Sequence, residues 1–337
     1  MSKKSLSLFE IGADEERYLT PRLSRFKPRF FKNPLTERTS HKVRNAEAIV
    51  IFIYSTITER LLAKLPNLRF IATASTGYDH IDMSAVKKRG IIVSNVPSYG
   101  ENTVAEHTFA LILSLSRKIH HSYNRTKAGD FSLNGLRGFD LKGKTIGIIG
   151  TGHIGSIVAR IAYGFEMKIL AYDVYQSKEL KKRFKVNYVP FIRLLKESDI
   201  VTLHAPYLKS THHLINEKSI KFMKKGSLLI NTARGGLVDT KALVLALKKG
   251  ILAGAGLDVL EAEALIKEES ELLTKRSAAY HDIRAALEGH MLLSQNNVLV
   301  TPHNAFNSVE AIERILDTTV SNVFAYFKGK PINIVRP

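Results

Sequence analysis

The feature that most constrains this chain is a run of short apolar segments separated by helical patterns. TIGIIG (145–150), MKILAYD (167–173), DIVTLHA (199–205), SLLINTA (227–233), ILAGAGLDV (251–259) and NVLVTPH (297–303) are six candidate strands. Each is continuously apolar rather than alternating, as expected of a strand buried on both faces of a parallel sheet. Amphipathic stretches such as DTKALVLALKKG (239–250) lie between most of them and supply crossover helices. Right-handed crossovers then bring the carboxyl ends of all the strands to one edge, where open α/β sheets bind their ligands.

The N-terminal part repeats the pattern with EAIVIFI (47–53), LRFIATA (68–74) and GIIVSN (90–95). Asp82 to Gly90 reads as a helix with an acidic start and a glycine stop, and a long helix is expected from Asn102 through Thr126. The amphipathic segment 308–328 reads as a final helix returning to the first domain. The fold class is therefore α/β, with two doubly wound parallel-sheet domains.

Length and composition agree. A chain of 337 residues is long for one core. It carries no cysteine, which excludes disulfide and thiolate chemistry and suits a cytoplasmic protein. No apolar run is long enough to span a bilayer and no secretory signal precedes the first domain, so no membrane partner is expected. The net charge of +19 raises nucleic acid as a partner, but the basic residues are scattered over several segments and no nucleic-acid motif accompanies them. No specific nucleic-acid role is expected. The histidines are not spaced for a metal site; His107, His120, His121, His212, His213, His281 and His290 read as surface or interface residues.

Gly150-Thr-Gly152-His-Ile-Gly155 closes one strand and opens a helix, and the next strand ends in Asp173. Glycines in that setting permit a tight turn and a close backbone approach to a pyrophosphate, which the helix N-terminus attracts. A carboxylate at Asp173 accepts hydrogen bonds from ribose hydroxyls and repels a 2′-phosphate, which favours NAD over NADP.

Three chemically loaded residues stand at the ends of later strand segments: Arg234 after SLLINTA, Glu263 closing GLDVLEAE, and His303 closing NVLVTPH. Together they suit reduction of a ketone beside a carboxylate. A guanidinium fork matches a carboxylate and its neighbouring carbonyl. A histidine donates the proton to the carbonyl oxygen, and a glutamate partner favours its charged form.

With these in place the sequence resembles the D-isomer-specific 2-hydroxyacid dehydrogenase family, and most closely its D-lactate dehydrogenase branch. The motifs that carry the resemblance are ATASTGYDHID (72–82), VPSYGENTVAEHTFAL (96–111), LKGKTIGIIGTGHIG, LHAPYLKSTHHLI (203–215), LINTARGGLVD, GLDVLEAE and TPHNAF. The resemblance implies a flavodoxin-like substrate domain from residues 1–100 and 305–337, with a Rossmann NAD domain, 101–304, inserted into it. It implies Arg234, Glu263 and His303 as the catalytic set. It implies cofactor contacts from Thr103, Gly150, Gly152, His153, Ile154, Gly155, Asp173, His204, Ala205, Pro206, Thr211, Thr232, Ala233 and Asp258. Ser75, Thr76, Gly77, Tyr99 and Phe306 are implied at the substrate, with Phe306 crowding its side chain. A small 2-keto or 2-hydroxy acid, pyruvate above all, and a homodimer built around the helix after Asn102 complete the expectation. Ala262 stands where the family commonly has proline, and the 264–296 insert is rich in Glu, Lys and Arg. Dehydrogenases of glyoxylate, hydroxypyruvate or bulkier keto acids, and an NAD-sensing corepressor-like regulator, are the alternative readings.

Overall fold

The computed structural model describes residues 5–261 and 280–335, without the side chains of 280–286. Glu263 and residues 264–279 of the insert lie outside the described residues. The chain divides into two compact units, residues 1–100 with 307–337, and residues 101–306. The second unit ends at Phe306, two residues beyond the expected boundary at 304. The Ala305 amide donates to the buried carboxylate of Asp258 at 2.9 Å, which ties this stretch to the second unit.

In the first unit five strands form a wholly parallel sheet in the order β2-β1-β3-β4-β5. They are β1 (Leu6–Phe9), β2 (Arg29–Phe31), β3 (Ala48–Ile51), β4 (Phe70–Thr73) and β5 (Ile92–Ser94). The sequence pattern anticipates β3, β4 and β5 but not β1 or β2: β1 (LSLF) carries a serine within its buried run and β2 (RFF) is a partly exposed edge strand, so neither shows a continuous apolar run. Ile49, Ile51, Leu61, Leu62 and Ile71 pack in one core of this unit, each burial contributing about 1.5–3 kcal/mol. The Met83–Lys88 helix forms as expected, with the Asp82 side chain accepting from the Ala85 amide at 3.0 Å. The Val309–Phe327 helix starts on a similar cap, the Ser308 hydroxyl to the Ala311 amide, and belongs to this unit.

The second unit holds seven parallel strands in the order β12-β11-β10-β9-β6-β7-β8. They are β6 (Thr145–Ile149), β7 (Lys168–Tyr172), β8 (Asn187–Tyr188), β9 (Ile200–Leu203), β10 (Ser227–Asn231), β11 (Leu252–Leu257) and β12 (Val298–Val300). All six expected strands are present, and the two-residue β8 is added at the edge. Strand order reverses between β6 and β9, the switch point that opens a ligand crevice in a doubly wound sheet. Apolar clusters line the sheet, one including Leu203, Leu229 and Leu243, the other Ile112, Ile148 and Val158.

One helix differs from expectation. The long helix is two, Glu101–Ser116 and Ile119–Lys127, broken at Lys118, which adopts a left-handed conformation at φ 52. The cause is tertiary: the Ser116 carbonyl receives the Phe139 amide at 2.9 Å, so the later chain docks on the helix end.

Candidate active site

The glycine turn joins β6 to the His153–Gly164 helix at the switch point. Gly150 has φ +91, and a Cβ there would lie 2.7 Å from the backbone of His204 and Ala205. A Cβ on Gly155 would overlap the Gly150 carbonyl, while one on Gly152 would meet nothing within 4 Å. The turn is thus packed on its protein side and open at Gly152. The twelve-residue helix that follows has no side-chain cap, so no side chain takes up its first amides at the positive end. Asp173, at the end of β7, accepts from the Thr151 amide and hydroxyl on Oδ2 and from the Tyr175 amide on Oδ1. A carboxylate has about four acceptor positions, so room remains for a ribose hydroxyl. Beneath the turn His204 is half-buried as a residue but its ring is withdrawn from solvent, and that burial pushes its imidazole down to about 3. It is neutral, with Nε2 on the Thr202 hydroxyl at 2.9 Å and a buried Nδ1 that meets no partner among the described residues. A glycine cradle, free helix amides, an orphaned buried nitrogen and an acidic β7 end together fit a dinucleotide. Thr211 closes the neighbouring loop by donating to the Pro206 carbonyl at 2.7 Å.

Strands β10, β11 and β12 end side by side, with Asn231 opposite Leu257 and Leu257 opposite Val300. Arg234 and His303 therefore emerge three residues past adjacent or nearby strand ends on one edge of one sheet. Arg234 is half-buried, and its Nη1 donates to the Ala233 carbonyl at 2.8 Å. Asn231 braces the turn, donating to the Arg234 carbonyl and accepting from the Ala233 amide. Thr232 is fixed to Thr108 of the Glu101–Ser116 helix, hydroxyl to hydroxyl at 2.9 Å. His303 is also half-buried and sits at φ 53, a left-handed conformation that costs a β-carbon residue about 1 kcal/mol and is held by surrounding structure. Its amide donates to the carbonyls of Asp258 and Thr301, both at 2.9 Å. Phe306 stands edge-on to the His303 ring with centroids 6.5 Å apart.

Asp258 organises this edge. Expected as a cofactor contact, it is 1% exposed and commits both carboxylate oxygens to its own chain. Oδ1 accepts from the Thr301 hydroxyl at 2.5 Å and the Asn304 amide at 2.7 Å; Oδ2 accepts from the Ala305 amide. His107 joins from the Glu101–Ser116 helix, its Nε2 3.0 Å from the Thr301 hydroxyl and 3.5 Å from Asp258. Read from sequence as a surface or interface residue, it braces this edge with its side chain 19% exposed. Its signal was present: His107 falls at helical spacing beside the buried Val104, Thr108, Leu111 and Leu115.

A second bracing pair also escapes the sequence pattern. His213 Nε2 lies 2.6 Å from Glu261 Oε1, and the other Glu261 oxygen accepts from the Thr240 hydroxyl at 3.0 Å. No periodicity links positions so far apart in the chain.

In the first unit the β4 end carries Ser75, Thr76 and Gly77. The Ser75 hydroxyl donates to the Gly77 carbonyl and the Thr76 hydroxyl to the Val96 carbonyl, each at 2.7 Å. The Val96 amide returns to the Ser75 carbonyl at 3.1 Å. Among the described residues no acceptor is placed on the Thr76 or Gly77 amides. The Tyr99 carbonyl is held by Arg314 Nε at 2.6 Å.

A family model described as D-isomer specific 2-hydroxyacid dehydrogenase, NAD binding domain, matches residues 109–305. D-lactate dehydrogenase kk1H of Curvularia clavata is 38% identical over 308 residues, covering 90% of this chain and 84% of that protein. A glyoxylate reductase of Thermococcus litoralis is also 38% identical, over 87% of this chain and 85% of its own length. Among solved structures, D-lactate dehydrogenase from Aquifex aeolicus complexed with NAD and lactic acid superposes with a TM-score of 0.87 at 38% identity, covering 96% of each chain.

Proposed function

Since this chain belongs to the D-isomer-specific 2-hydroxyacid dehydrogenase family, and is thereby an oxidoreductase with NAD as its cofactor, we propose that its reaction is the reduction of pyruvate to D-lactate. The observation that supports this most is the common sheet edge on which Arg234 and His303 stand, each pinned through its own backbone.

NADH, when bound at the glycine turn, supplies the hydride. Arg234 holds the substrate carboxylate and polarises the adjacent carbonyl, which a planar fork of donors does better than a point charge. His303 delivers a proton to the carbonyl oxygen as negative charge develops there, and takes it back in the reverse direction. Glu263, assigned from sequence alone, accepts from the second ring nitrogen and keeps the imidazolium available. The Thr76 and Gly77 amides receive the substrate carboxylate, Tyr99 borders the pocket, and Phe306 limits the substrate's side chain. Gly150, Gly152, His153, Ile154, Gly155 and Asp173 hold the diphosphate and ribose; Thr103, His204 to Pro206, Thr211, Thr232, Ala233 and Asp258 shape the rest of the cofactor cleft.

The reading extends to a homodimer in the cytoplasm. Ile119, Tyr123, Phe131 and Leu133 are large apolar side chains left exposed along and after the Ile119–Lys127 helix, as on a surface that a second copy covers.

The test is NADH oxidation with pyruvate, glyoxylate, hydroxypyruvate, 4-methyl-2-oxopentanoate and phenylpyruvate, with the product from pyruvate resolved on a chiral column. Pyruvate should give the highest kcat/KM and D-lactate the only enantiomer. A higher value for glyoxylate, which the Thermococcus litoralis relative makes the second reading, would overturn the substrate assignment.

A further inference from the structure

Glu261 lies outside the set of residues assigned above, yet it touches three segments that meet at the Arg234 turn. Its Oε1 is 2.6 Å from Nε2 of His213. Its Oε2 accepts from the hydroxyl of Thr240 at 3.0 Å and the amide of Thr240 at 3.3 Å, at the start of the Thr240–Lys248 helix. Backbone contact is closer still. A Cβ on Gly235 would stand 2.2 Å from the Leu260 carbonyl group and 2.4 Å from the Glu261 nitrogen, so the chain after Arg234 lies directly on the chain at 260–261.

His213 holds the same turn through its backbone. Its amide donates to the Gly236 carbonyl at 2.9 Å, and Ile215 bridges Val238 in parallel just beyond. Its backbone is left-handed at φ 48, a conformation that persists where several contacts impose it. His212 stacks on His213 with centroids 3.8 Å apart and takes the Tyr207 hydroxyl on Nδ1 at 3.0 Å. The Tyr207 ring lies against Gly236, where a Cβ would come within 2.7 Å. The Arg234-Gly235-Gly236 turn thus touches Tyr207, His213 and the backbone at 260–261, and the Glu261 carboxylate ties His213 to Thr240.

The side chains of His213 and Glu261 are 31% and 32% exposed. An ion pair that wet adds little to folding stability. Its consequence is geometric. We infer that the Glu261–His213 pair is a positioning device that holds the Arg234 turn in register with the chain at 260–261. The inference rests on the reading of Arg234 as the carboxylate-holding residue.

Glu261→Ala, His213→Ala and the double variant test it, with Glu217→Ala as a control that breaks the exposed pair with Lys241 on the same helix. Expected for each single variant is a fall of about 10-fold or more in kcat/KM for the best keto acid, since misplacement by about 1 Å can cost a hundredfold. NADH affinity, read by fluorescence, should stay within about twofold, because the glycine turn is untouched. The double variant should be no worse than either single one, as for two residues acting as a unit. Glu261→Gln, which keeps a hydrogen-bonding group of the same length, should recover most of the rate. A second readout is independent of any substrate: hydrogen exchange of the 232–240 segment should quicken in Glu261→Ala and not in the control. Losses that multiply in the double variant, a kcat/KM within twofold of wild type, or unchanged exchange would each overturn the device. A wild-type enzyme that reduces none of the keto acids would instead overturn the proposed function, leaving the exchange result to decide the pair.

Discussion

Asp258→Asn isolates how the His303 loop is held. The wild-type carboxylate is buried and accepts three donors, the Thr301 hydroxyl and the Asn304 and Ala305 amides. Asparagine keeps the shape but replaces one acceptor oxygen by an NH2 group. Turned one way, that group faces the Ala305 amide; turned the other, it faces Asn304 and Thr301. At best one buried amide loses its acceptor, at about 1–3 kcal/mol, and the remaining bonds drop from charge-assisted to neutral strength. The combined loss is about 2–4 kcal/mol, which for a unit of this size lowers Tm by about 5–15 °C. Displacement of residues 303–305 should also reduce kcat, by as much as about a hundredfold for a shift near 1 Å. Urea denaturation without cofactor measures the first effect and steady-state kinetics with pyruvate the second. An Asp258→Asn protein within about 0.5 kcal/mol of wild type, with unchanged kcat, would refute the claim that this carboxylate builds the loop.

Other substitutions probe the site separately. Arg234→Lys should lower kcat/KM by about 2–4 kcal/mol of transition-state stabilisation, because an ammonium cannot reproduce the fork; steady-state kinetics show it. His303→Gln should lower kcat by about 10²–10⁴-fold with NADH binding nearly unchanged, checked by kinetics beside fluorescence titration. Gly150→Ala should abolish measurable NADH binding, since its Cβ would meet backbone at 2.7 Å in a conformation of φ +91; titration calorimetry reads this. Below pH 6.5 the unfolded chain protonates His204 while the folded one, with the group held at about 3, does not. Stability should therefore decline as pH falls through that window, by at most about 1.4 kcal/mol per pH unit, and His204→Gln should flatten the acid limb by about one proton in urea melts.

The glycine-turn half of the candidate site was legible because its residues are local. Gly150, Gly152 and Gly155 sit within one turn, and Asp173 ends the very next strand, so a single βαβ pattern places them all. Arg234 and His303 were legible at one remove, since each follows an apolar strand and parallel topology sends strand ends to one edge. His107 and the Glu261–His213 pair were not, because each depends on a contact between segments far apart in the chain. The break at Lys118 was hidden for the same reason: the residues around it continue the helical pattern, and the Phe139 amide that ends the helix comes from a later loop.

Apolar runs and the glycine turn dictated two parallel sheets and the edge on which Arg234 and His303 stand, because burial on both faces leaves a strand few alternatives. Tertiary structure alone decided which carboxylates hold the backbone and which remain for ligands. Asp258 and Glu261 differ little in sequence from residues that would face a substrate, and only the positions of Thr301, Ala305, His213 and Thr240 around them draw their oxygens inward. A carboxylate goes where unpaired donors would otherwise be buried, and that is a property of the assembled fold.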